Sequence, residues 1–132
     1  MTRIQKSTLA LSLGTVLLLT ACSEKTAEPP KPVAVEQAPT GLKDNFKEAA
    51  GEGAGAQQIR SMVDDATIAL QGKEYAKAIS ILEALSGRSD LTPAQRDYVT
   101  RTMMSAHKAL TEAAAGGSLD AARALEQRRA NK

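Results

Sequence analysis

One thiol, one imidazole, two adjacent carboxylates and a glycine cluster are the groups in this 132-residue chain that most invite chemistry. Cys22 is the single cysteine, so no internal disulfide can form. His107 is the single histidine, and without a second histidine or a spare cysteine there is no set of ligands for a zinc-type site. Ser105 precedes His107 by two residues, a spacing that points the two side chains to different sides of a helix and so makes no nucleophile–base pair. Asp64 and Asp65 are neighbours and diverge in the same way, so they cannot share acid–base work. Gly51-Glu52-Gly53-Ala54-Gly55 lacks the Lys-Ser/Thr of a phosphate-cradling loop and follows no strand. The expectation is a chain with no catalytic residues, no metal or cofactor site and no small-molecule substrate, hence not an enzyme.

Only Cys22 has a position that explains it. The chain opens Met1-Thr2-Arg3-Ile4-Gln5-Lys6 with two positive charges, continues with an apolar run from about Thr8 to Leu19, and ends the run on Thr20-Ala21-Cys22. Charged, apolar and small residues in that order are the pattern of a secretory signal peptide. The stretch between Lys6 and Cys22 is short of the roughly 20 apolar residues that a membrane span needs, and Ser7, Thr8, Ser12, Gly14 and Thr15 interrupt it.

The tetrapeptide Leu19-Thr20-Ala21-Cys22 resembles the lipobox of bacterial lipoproteins: an aliphatic residue, small residues, then the cysteine. That resemblance implies cleavage between Ala21 and Cys22, a diacylglycerol joined to the Cys22 sulfur by a thioether, and in many bacteria a further acyl chain on the new amino group. Each buried methylene contributes roughly 0.8 kcal/mol to membrane binding and two chains already give a stable anchor. Ser23 stands where an aspartate resembles an inner-membrane retention signal, so the outer membrane is the expected address in an organism with two membranes.

Residues 22–55 then form the expected tether and hinge. Pro29, Pro30, Pro32 and Pro39 are four of the five prolines, and bulky apolar residues are few. Residues 23–42 are therefore expected to stay extended and mobile, reaching some 60 Å at about 3.1 Å per residue. The PxxP element at Pro29-Pro30-Lys31-Pro32 is read as a stiff spacer. A short, weak helix is expected from Lys43 to Ala50 with Asp44 near its start, and a glycine hinge from Gly51 to Gly55.

A helical module is expected over 56–130. Ile59, Met62, Val63, Ala66, Ala69 and Leu70 recur at three and four and mark one face of a helix ended by Gly72. Tyr75, Ala78, Ile79, Leu82 and Leu85 mark a second helix, stopped at Gly87 and folded back as an antiparallel partner across a turn of about three residues. Thr92-Pro93-Ala94-Gln95 predicts a capped start for a third helix running to about Ala115, with Val99, Met103, Ala106, Leu110 and Ala113 along one stripe. After Gly116-Gly117, Ser118 or Asp120 can begin a fourth, Leu119 to about Arg129. No segment alternates with period two, so the fold class is all-α: a small antiparallel helical-hairpin module.

Tyr75-Ala76-Lys77-Ala78-Ile79 after Gly72, and Leu119-Asp120-Ala121-Ala122-Arg123 after Gly117, resemble the turn and second-helix start of a tetratricopeptide repeat. Ala78 and Ala122 would be its close-packing alanines. They lie 44 residues apart where that family's period is 34. Tetratricopeptide-like hairpins and a plain four-helix bundle both fit the pattern.

Composition narrows the function classes. Aromatics are 2% of the chain, Phe46, Tyr75 and Tyr98, and much of the 42% hydrophobic content is Ala, so the core is expected to be thin. Arg3 and Lys6 carry the formal charge of +2; without them, bases and acids are equal in number. A balanced surface provides no steering toward nucleic acid. Met62, Met103 and Met104 are expected to fill core. The reading is a lipid-anchored, exported envelope protein, held to the membrane through Cys22, whose non-catalytic module binds an envelope protein partner; the alternative is a structural lipoprotein that self-associates through its Ala/Leu faces.

Overall fold

The computed structural model describes residues 30–47 and 53–131. Among them the fold is all-α: α1 (Ala38–Phe46), α2 (Ala54–Gln71), α3 (Tyr75–Ser86), α4 (Pro93–Ala115) and α5 (Leu119–Ala130). The expected signal peptide, the lipobox with Ala21 and Cys22, Pro29, and residues 48–52 lie outside the described residues.

The best-signalled element forms as its sequence dictates. The Thr92 hydroxyl accepts from the Gln95 N–H at 3.2 Å, and the Gln95 carboxamide oxygen accepts from the Thr92 N–H at 2.9 Å. That reciprocal pair, with Pro93 at the first helical position, satisfies donors a helix start otherwise leaves orphaned.

Both hairpins turn by the same closure. At the end of α2 the Glu74 N–H donates to Ala69 O (2.8 Å) and the Lys73 N–H to Leu70 O (3.1 Å). At the end of α4, Ser118 N–H donates to Ala113 O (3.0 Å) and Gly117 N–H to Ala114 O (3.1 Å). Each is a Schellman arrangement, which needs one residue in the left-handed region. Gly117 takes it at φ 94° without a Cβ penalty, whereas Lys73 takes it at φ 58° and bears that penalty. Lys73→Gly is accordingly expected to raise stability by about 1 kcal/mol, read as an upward shift of the urea midpoint at unchanged slope.

Helix α3 is the centre of the core: Ala78, Ile79, Leu82 and Leu85 are fully buried between α2 and α4. From α2 come Ile59, Val63, Ala66, Ala69 and Leu70, and from α4 Val99, Ala106 and Leu110. Met62 and Met103 pack against this core, while Met104 is exposed. Helix α5 buries only Ala121 and is joined to α3 through an Arg128–Glu83 ion pair.

Three expectations are corrected. Residues 38–42 are not extended tether: α1 begins at Ala38, buries Ala38, Pro39, Leu42 and Phe46, and places Asp44 in its interior. Pro39 lies in the first turn, where a proline's fixed φ suits a helix and its missing N–H is no loss, so it helps start this helix. The packed unit accordingly extends upstream of residue 56. Second, α2 begins at Ala54 and takes Gly55 into its first turn, leaving Gly53 as its N-cap. Third, the repeat-like correspondence fails at α5, where Leu119 is 72% exposed and Ala122 is exposed while Ala121 is buried, one position out of register with the buried Ala78.

Candidate functional site

Helices α2 and α4 open the two hairpins and make no substantial contact with one another; α1 packs between them. The two walls are continuous faces. On α2, Val63 lines a small cavity with Phe46, and Asp64 lies 4.0 Å from the Lys43 ammonium. On α4, Gln95 reaches across the wall and its Nε2 donates to Asn45 O at 3.3 Å, so the residue that caps α4 also holds α1. Further along, Tyr98 lies against the backbone of Gly41: a Cβ there would overlap the phenol Oη and Cζ and lie 3.1 Å from Cε2. Beyond α1, the Ser105 hydroxyl is shared between Arg101 O (3.0 Å) and Val33 O, drawing the incoming segment onto the same wall.

These contacts set the register. Asn45 is level with Gln95 and Gly41 with Tyr98, so α1 runs antiparallel to α4. On the other wall Phe46 and Lys43 are level with Val63 and Asp64, and one turn further stands Thr67. Thr67 and Thr102 are 1% and 0% exposed, and their hydroxyls find no hydrogen-bond partner among the described residues. Helical threonines ordinarily donate to a carbonyl one turn back, as Thr100 does to Arg96 O at 2.9 Å. A buried hydroxyl without a partner costs about 1–3 kcal/mol.

Electrostatics at the rim are local. The Arg101 guanidinium sits 5.5 Å from the centre of the Tyr98 ring and 3.0 Å from an Asp97 oxygen. Burial pushes the Tyr98 phenol above its usual range, Arg101 opposes that, and Asp44 adds to it. Because the folded state holds this proton more tightly than the unfolded chain, the stability from the neutral phenol is complete below about pH 10 and is lost as pH rises through the raised folded value. Tyr98→Phe is expected to flatten the fall in urea midpoint between pH 9 and 11, measured beside the native chain so that lysine titration cancels. Away from the groove, Asp90 is held below the usual carboxylate range by its hydrogen bonds from Arg88, which also donates to Gln58 Oε1 at 2.8 Å and so ties the α3–α4 loop to α2.

The groups singled out for chemistry are dispersed. His107 is half-buried on α4, and its neighbour Ser105 is engaged with carbonyls. Asp64 pairs with Lys43 and Asp65 is exposed beside it. Among the described residues no cluster of three or more His, Cys, Asp or Glu could hold a metal ion, and no helix is long and apolar enough to cross a membrane. Sequence reasoning missed Gly41, Thr67, Tyr98 and Thr102. A glycine inside the segment Ala38–Phe46 was the available signal for a close backbone approach.

Comparison with protein-family models, with curated proteins and with solved structures finds no match to this chain.

Proposed function

We propose that this chain is an envelope lipoprotein, anchored through acyl chains on Cys22, whose helical module binds another envelope protein and performs no catalysis. The anchor half of the reading is supported by the charged, apolar and small residues that end on Leu19-Thr20-Ala21-Cys22. Ser23 after the cysteine favours the outer membrane where there are two. The binding half is carried by one observation: the face between α2 and α4 accommodates a short amphipathic helix through Leu42, Phe46 and a glycine contact. Receiving a helix in an apolar groove is a general mode of peptide recognition.

Two measurements test the halves separately. The full chain expressed in a bacterium should partition with membranes and carry acyl mass at its N-terminal cysteine, and Cys22→Ser should move it to the soluble fraction. An unmodified thiol, or retention of Met1, overturns the anchor. Cross-linking and capture from envelope extracts should then enrich a specific envelope protein with the anchored chain over a lipidated control that carries residues 22–37 without the helices; recovery of none overturns the binding reading.

A further inference from the structure

The segment before α1 is fastened along α4. Val33 O accepts from the Ser105 hydroxyl, and Val33 and Val35 are half-buried against the core. Three residues earlier, Pro30 shares a cleft with Pro93, Arg96 and Thr100 in the first turns of α4. Ala34 O accepts from the Gln37 and Ala38 N–H groups at 2.9 and 3.0 Å, which turns the segment directly into α1. The chain therefore joins the folded unit at one end of it. That end is assembled from the start of α4, the α3–α4 loop tied to α2 through Arg88 and Gln58, and the close of α1 held by Gln95. The opposite end carries both hairpin turns, where Lys73 and Glu74 border a common cleft with Ser118 and Asp120. Along α4, Arg96 and Ala115 are separated by roughly 28 Å at 1.5 Å of rise per residue.

We infer that the fastening of residues 30–37 to α4 sets how the module meets the membrane: the end built around Arg96 and the α3–α4 loop faces the lipid at short range, and the two hairpin turns point away from it. This rests on the anchor half of the proposed function and adds the surface that the lipid meets. Eight residue steps separate Cys22 from Pro30. Whatever path they take, they span at most about 26–29 Å. With residues 30–37 detached, the sixteen steps from Cys22 to Ala38 would span up to about 53–58 Å, and the attachment would move from the end of the fold to the start of α1. The clasp at Ser105 thus halves the reach of the anchor. Charge contributes little. Asp44, Asp90 and Asp97 at this end are each paired within the fold, with Lys47, Arg88 and Arg101. Arg96 donates to Arg88 O and adds one exposed cation beside Pro30. A lone surface charge is screened over about 8 Å at physiological salt, so covalent length and not headgroup charge sets the orientation.

The chain has no tryptophan, so one introduced by substitution reports a single place. Ser89→Trp marks the lipid-facing end and Ala115→Trp the far end, and both positions are exposed. Each full chain is acylated in a bacterium and reconstituted in vesicles, and energy transfer from its tryptophan to a dansyl-headgroup phospholipid is measured. Transfer from position 89 is expected to exceed that from position 115 severalfold, equally in zwitterionic and anionic vesicles. Inserting a second run of eight residues, glycine and serine only, after Glu28 doubles the tether without touching the helices, and should lower transfer from position 89 severalfold. Ser105→Ala combined with Val33→Asp should do the same by opening the clasp, with circular dichroism checking that the helices remain. Equal transfer from the two positions, a reversed order, no response to the insertion, or an order seen only in anionic vesicles overturns the proposal. If Cys22 carries no acyl chain, the anchor reading falls by itself. Its free thiol then couples to a maleimide-headgroup lipid, and the same comparison still decides the geometry.

Discussion

Leu42→Ala is expected to lower the unfolding free energy by about 2–5 kcal/mol, a large part of the roughly 5–15 kcal/mol that a small domain has. Leu42 is fully buried, as Ala38 is one turn before it, and Phe46 one turn after is 4% exposed. Removing three carbons from the middle of that row withdraws apolar contact from both walls at once. The effect should also have a characteristic form. If α1 leaves the groove as a unit, Phe46→Ala added to Leu42→Ala costs little more, because the helix has already gone. The urea slope should then fall, since the state that unfolds buries less surface. If α1 stays docked in both variants, the two losses add and the slope is unchanged. Urea denaturation of the two single variants and the double variant distinguishes these results. A loss under 1 kcal/mol for Leu42→Ala would mean that α1 contributes nothing to the core.

That a helix of such weight escapes a reading of the sequence has a physical cause. Helices α2, α3 and α4 are legible because each one's burial is written locally: Ile59, Val63, Ala66 and Leu70 repeat at helical spacing, and Thr92-Pro93-Ala94-Gln95 carries its own cap. Helix α1 has only Leu42 and Phe46 as large anchors and follows Pro29, Pro30 and Pro32, so local composition favours an extended chain. What makes it a helix is tertiary: two walls assembled from residues far along the chain, with a slot that fits a glycine. No local pattern marks the groove. Its distinctive members, Tyr98, Thr67 and Thr102, look from sequence like ordinary surface and helix positions. The unmatched hydroxyls could not be anticipated, since whether a buried threonine finds a carbonyl depends on a rotamer and not on the residue's neighbours in sequence. At α5 the misreading was of phase: Leu119 looks like an anchor because it is large, yet it precedes the turn of helix that reaches the core, where the smaller Ala121 fits instead.

The contact between Gly41 and Tyr98 gives the second large effect, and its sign changes with background. In an interior helical position, Gly→Ala ordinarily stabilises by about 1 kcal/mol through backbone entropy. Here the added methyl meets Oη, Cζ and Cε2 of one ring, so the edge of Tyr98 must move as a body. That ring is packed against the core and lies beneath Arg101, which is itself paired with Asp97, so moving it disturbs a small network. Overpacking of this kind costs about 1–3 kcal/mol, and it outweighs the entropic gain. Gly41→Ala alone is therefore expected to destabilise by about 1–2 kcal/mol. With Tyr98→Ala already in place the obstruction is gone, and the same substitution should stabilise by about 0.5–1 kcal/mol. The coupling between the two positions, obtained from urea denaturation of all four chains, should then reach about 1.5–3 kcal/mol, in the upper part of the range for residues in contact. A coupling near zero would mean that α1 does not press its backbone onto α4.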